Sequence, residues 1–118
     1  MKKIIQFALI FTVKIIFAQT QVGADINGEA ANDQSGFSVA TSQLGTVVAI
    51  GAPRNGGNGA NSGQVRVYRN ASGTWTQHGV DINGDTAEDR FGSAVAINST
   101  GSIIVVGAPL YSSTNNGR

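Results

Sequence analysis

Oxygen-bearing side chains recur at relative positions 1, 3, 5 and 9 of two short runs. In DINGEAANDQSG they are Asp25, Asn27, Glu29 and Asp33; in DINGDTAEDRFG they are Asp81, Asn83, Asp85 and Asp89. Calcium takes arrays of carboxylate and amide oxygens, so binding that cation is the first chemistry these residues could do. An EF-hand closes its loop on a bidentate glutamate, which here would fall on Gly36 or Gly92. The competing reading is a solvated turn in which Asp and Asn side chains bond to nearby backbone. It accounts for more of the residues, and calcium stays as the only cofactor candidate.

Other chemistry-bearing residues are sparse. GGNGANSG (56–63) is glycine-rich but occurs once, with Asn61 where a calcium-binding β-roll has aspartate and Gly63 where it has an apolar residue. It is expected to be a long flexible loop, and such loops are where scaffolds place ligand contacts. His78 is the single histidine. Without a second imidazole or a Ser/His/Asp set, no catalytic residue is expected and the chain is read as a non-enzyme. Trp75 and Tyr68 are candidates for a sugar-stacking surface, against the commoner role of strand aromatics in packing. Asn70 and Asn98 begin NAS and NST, patterns that match glycosylation sites, with the turn between strands as much the stronger reading.

Positioning such residues falls to a chain of 118 residues whose first 18 read as a signal peptide. Lys2 and Lys3 precede an apolar stretch from Ile4 to Phe17, and Ala18 precedes polar Gln19, where cleavage is expected. The stretch is short for a membrane span and Lys14 interrupts it, so no span is expected after cleavage. Cleavage would remove every lysine. Five arginines then face seven carboxylates, a formal charge of −2 with no basic footprint for nucleic acid. With no cysteine, stability rests on packing and backbone pairing.

The elements come from a repeat. Residues 23–53 align without a gap on 79–109, a spacing of 56 with 14 of 31 positions identical. Such a period points to a propeller or solenoid array, whose units cannot bury their faces alone. FSVAT and SAVAI read as short strands, followed by the continuous apolar runs TVVAIGAP and SIIVVGAP, which need apolar neighbours on both faces. QVRVYR alternates, with Val65 and Val67 on a buried face and Gln64, Arg66 and Tyr68 on a wetter one. NASG (70–73) reads as a hairpin turn into a fourth strand, TWTQHGVDI. No helical period exists after residue 18. The expected fold is all-β: an incomplete β-propeller over 19–118, with about one full four-stranded blade, Phe37 to Ile82, and parts of neighbouring blades. TQVGADI is expected to be the last strand of a preceding blade.

Gly36-Phe37 and Gly51-Ala52-Pro53 in the first copy, Phe91-Gly92 and Gly107-Ala108-Pro109 in the second, and SGQVRVY (62–68) together resemble the FG-GAP repeats of integrin-like β-propellers, in the variant common in secreted bacterial proteins. The glycines would allow close backbone approach and the prolines would end the ladder. The first copy has Ser35-Gly36-Phe37 where the second has Phe91-Gly92-Ser93. If 35 and 37 share one side of a strand, either ring could fill the same inter-blade pocket. Integrin-type calcium loops lie between FG and GAP, where this chain carries no carboxylate. The resemblance implies an exported, non-enzymatic module at the cell surface or secreted, acting in adhesion or in binding an extracellular protein or carbohydrate. The alternative is a scaffold or substrate-binding portion of a larger secreted enzyme. Incomplete blades are also expected to self-associate.

Overall fold

The computed structural model describes residues 13–15 and 18–111. The expected signal peptide and the stretch after Tyr111 lie almost wholly outside them. The described residues are all-β, with no helix: β1 Ser38–Thr41, β2 Val47–Ala52, β3 Gln64–Ala71, β4 Thr74–Gln77, β5 Ile82–Asn83, β6 Ala94–Ile97 and β7 Ile104–Gly107. β1 to β4 pair antiparallel in chain order, β5 also pairs with β3, and β6 and β7 form a separate hairpin. This is one four-stranded blade and half of the next, a partial β-propeller.

Local chemistry explains the connections. Ser72 and Gly73 both have positive φ, 52° and 87°, giving the two-residue turn whose twist suits a hairpin. Asn70 and Ala71, expected within the turn, belong to β3; Asn70 Oδ1 accepts the Gly73 N–H at 3.0 Å. The expected fourth strand is broken in two. Tyr68 lies opposite Gln77, but Val65 lies opposite Ile82, so the partner side carries two extra residues. The interruption follows His78, whose N–H still bonds Val67 O, and begins at Gly79 with φ 88°. It is a bulge, tolerated because it sits at the sheet edge.

The core lies between the two units. Val47, Ala49, Val65 and Val67 share one face of the blade and pack against Phe91, Val95, Ile97, Ile104 and Val106. Burying each of these valines contributes about 1.5–3 kcal/mol. At this seam the motif glycine Gly51 is required: a Cβ there would overlap the Gly92 carbonyl oxygen, which also accepts the Ser38 hydroxyl at 2.7 Å.

The structure corrects three expectations. Gln64, Arg66 and Tyr68 are buried, so β3 is covered on both faces from Gln64 to Tyr68 and opens to solvent only at Arg69 and Ala71. The N-terminal segment supplies part of the cover, with Arg66 Nη2 donating to Asn27 O at 2.8 Å and the Arg66 guanidinium 5.7 Å from the Tyr68 ring centre. That segment, TQVGADI, forms no strand. Ser35 and Phe37 are not on a strand either. They flank Gly36 (φ 89°) in a turn closed by Phe37 N–H to Gln34 O at 3.0 Å, and Phe37 is 61% exposed while Phe91 packs on the core.

Candidate ligand-binding rim and cleft

Both acidic runs build the same turn. Asp33 Oδ2 accepts the Ala30 N–H at 3.2 Å, and Asp89 Oδ2 accepts the Thr86 N–H at 2.8 Å. Asp89 also takes the Thr86 hydroxyl at 2.7 Å and is 1% exposed. Asn32, Gln34 and Gly36 have positive φ, as do Glu88, Arg90 and Gly92 at the same spacing, so the backbone repeats where the side chains do not. The turn then receives the end of the GAP strand: Arg54 N–H bonds Asp33 O, and Leu110 N–H bonds Asp89 O. The first acidic position is tied separately, Gln21 Nε2 to Asp25 Oδ1 and Gln77 Nε2 to Asp81 Oδ1, both at 2.7 Å.

The oxygens at positions 1, 3, 5 and 9 therefore point to different partners. Asp25 and Asp81 serve the glutamines four residues earlier. Asn27 gives Arg66 its backbone carbonyl rather than its side chain, and Asn83 Oδ1 accepts Gln64 Nε2 at 3.1 Å. Glu29 and Asp33 meet through buried Asn55, whose Nδ2 lies 3.2 Å from Glu29 Oε2 and 2.9 Å from Asp33 Oδ2. Gln64 Nε2 also reaches Glu29 Oε2 at 3.1 Å. Asp85 is exposed. No group of three or more His, Cys, Asp or Glu side chains close enough to share a metal ion occurs among the described residues.

Sequence reasoning missed Asn55 and Gln64, the two amides that join this network. The signal was an uncharged polar residue at each end of the GAP-to-QVRVY connection, both buried to satisfy carboxylates.

The connection itself is no loose loop. Asn58 Nδ2 donates to Gly84 O at 2.9 Å, Glu88 N–H to Ala60 O at 2.8 Å and Arg90 N–H to Asn61 O at 3.0 Å, while Ser62 is fully buried. Residues 56–63 are stitched to the second acidic turn, because their Asn and Ser side chains and bare glycine backbone supply donors and acceptors a flexible linker would leave to water. Together the loop and both turns form a hydrogen-bonded rim at one end of the blade.

Where the N-terminal segment crosses the β3–β4 hairpin lies a cleft of about 380 Å³ walled by Tyr68 and Trp75, with Asp25, Asn27 and Gly73 among its other lining residues. Trp75 is half-buried and held by its Nε1–H to Val22 O at 2.8 Å. Tyr68 is nearly covered, so Trp75 is the aromatic a ligand would meet. His78 is exposed and lines a separate hollow with Arg69 and Gly101. Asn98 caps the β6–β7 turn, its Oδ1 accepting the Ser102 and Ile103 N–H groups at 2.8 and 3.0 Å.

An antiparallel four-stranded sheet with a second hairpin stacked on its face, sealed by a glycine seam and joined by polar turns, defines a β-propeller-type repeat module. Residues 27–68 match the family described as FG-GAP repeat. That segment, from the first acidic run through QVRVY, is an FG-GAP repeat. No curated protein matches the chain.

Proposed function

We propose that the chain is an exported, non-enzymatic binding module, and that its ligand site is the Trp75 cleft. The observation that carries this reading is the composition of the cleft: an aromatic side chain, partly exposed and fixed by its own N–H, faces a carboxylate and an amide. A pyranose ring has the matching chemistry, with an apolar C–H face to lie on the indole and hydroxyls to bond Asp25 and Asn27. Export is supported by the basic and apolar start of the chain. A carbohydrate or glycosylated protein at a cell surface is then the partner class.

The test is an array of neutral and acidic oligosaccharides probed with the chain and with Trp75→Ala. Binding to a subset of glycans that falls more than about tenfold in the variant, with the β-sheet circular dichroism unchanged, supports the site. Glycan binding indifferent to Trp75, or none at all, removes it.

A further inference from the structure

Two copies of the same four letters, Asp-Ile-Asn-Gly at 25–28 and 81–84, leave their Asn-Gly bonds in opposite states. Asn-Gly is the pair in which a backbone nitrogen most readily attacks the preceding side chain, because glycine has no Cβ to shield its N–H. In the second copy both reactants are held. Asn83 Oδ1 accepts Gln64 Nε2 at 3.1 Å, and the Gly84 N–H bonds Gly63 O at 2.8 Å. The pairs at 55–56 and 58–59 are restrained too. Asn55 is buried, with Nδ2 on two carboxylates and Oδ1 on the Gly57 N–H; Asn58 Nδ2 holds Gly84 O while the Gly59 N–H bonds Gly56 O. In the first copy Asn27 is exposed, and neither its side-chain amide nor the Gly28 N–H is hydrogen-bonded among the described residues.

The bond that Asn27 does make promotes reaction. Arg66 Nη2 donates to its backbone O at 2.8 Å. That carbonyl is conjugated with the Gly28 nitrogen, so a guanidinium on it stabilises the deprotonated nitrogen that attacks. Arg66 in turn lacks a counter-charge. It is 8% exposed, its neighbours are a neutral carbonyl and the Tyr68 ring, and no carboxylate pairs with it among the described residues. A buried cation left in that condition is costly.

We infer that Asn27 is a self-modifying site: it converts without an enzyme to isoaspartate, and the carboxylate so formed becomes the counter-ion of Arg66. The Gly28 nitrogen loses its proton and attacks Asn27 Cγ. The bond from Cγ to the side-chain nitrogen breaks, and ammonia leaves with that proton as a succinimide ring closes. Water then adds to the α-carbonyl, the one that Arg66 polarises, and the bond from it to the Gly28 nitrogen breaks, the nitrogen regaining a proton from the water. The chain now runs through Cγ, and the former backbone carbonyl is a free carboxylate already against the guanidinium. Water is consumed and ammonia released, with no oxidant or reductant. The N-terminal segment is thereby fixed to β3 by charge where a neutral acceptor held it. This chemistry is the chain's own and does not depend on whether the Trp75 cleft takes a glycan.

Peptide mapping of the full chain tests it. Folded protein is kept in mildly alkaline buffer beside a sample in urea. Trypsin, cutting after Lys14, Arg54, Arg69 and Arg90, places Asn27 and Asn83 in different peptides, and chromatography separates their isoaspartate and aspartate forms. In the folded sample Asn27 should convert at least about tenfold faster than Asn83, and in urea, where the identical local sequences are equally free, the two rates should agree within about twofold. The isoaspartate share at Asn27 should be higher from folded protein than from urea. Equal rates in the folded chain, a faster Asn83, or a lead that persists in urea overturns the inference. So does an isoaspartate share no higher than in urea, which would mean that Arg66 does not direct the water.

Discussion

Two copies of one sequence pattern meet opposite fates here. TVVAIGAP becomes β2, covered on both faces, while SIIVVGAP becomes β7, covered on one. Their composition is nearly the same, and their cross-strand registers with β1 and β6 correspond residue for residue. What differs is the neighbour. Burial in a stacked-sheet array belongs to the interface between units rather than to the strand, so hydrophobic run length reports a capacity for cover and not its presence.

The sharpest way to break that comparison is to place the same substitution in both copies. Gly51→Val should cost about 3 kcal/mol or more, because the new side chain must displace the Gly92 backbone rather than a side chain. Gly107→Val should change stability by less than about 0.5 kcal/mol in the monomer; urea denaturation at low concentration reads both. Next in size, Val47→Ala should cost about 2 kcal/mol through lost contacts and a cavity, and Ile103→Ala under about 0.5 kcal/mol. Equal costs at the two positions would mean that the second unit's outer face is covered after all.

The acidic turns give a third contrast, within one run. Asp89→Ala removes the buried acceptor that holds the Thr86 N–H and hydroxyl and should cost about 1–3 kcal/mol, whereas Asp81→Ala breaks only an exposed bond to Gln77 and should cost under about 0.5 kcal/mol. The smallest effect is expected from calcium. Since most of the side chains at positions 1, 3, 5 and 9 already accept hydrogen bonds from protein donors, calorimetric titration at millimolar calcium should give no heat beyond dilution. A saturable heat lost in Asp33→Asn would revive the metal reading.

Much of the fold was legible because strands announce themselves locally. β-branched runs, Gly-Ala-Pro stops and the Ser72-Gly73 turn need only their own residues to be read. The gap-free spacing of 56 told that consecutive units would share a core. What escaped depended on distant or conformational information. Arg66 and Tyr68 look like a wet face until an irregular segment some forty residues earlier is laid over them. Ser35 and Phe37 look like strand neighbours because nothing in Gln34 signals a left-handed backbone; only Gly36 does. Of the candidate site, the carboxylates were visible by spacing, but the amides Asn55 and Gln64 that consume them were not. Tyr68 and Trp75 were legible as a pair of aromatics, and the cleft between them and Asp25 was not, since it forms only where the N-terminal segment crosses the hairpin.

The pairing of β5 with β3 has a consequence for anyone who would cut, graft or recombine these repeats. Asn83 belongs by sequence to the second copy but by hydrogen bonding to the first sheet, and Gln64 holds it there. The period visible in the letters is therefore out of phase with the piece that folds. A module excised at the sequence frame would leave its last rung of sheet on the neighbour, while one excised at the tip of the β6–β7 turn would carry its seam with it. Shuffling of such units in evolution would be expected to leave its scars at those tips.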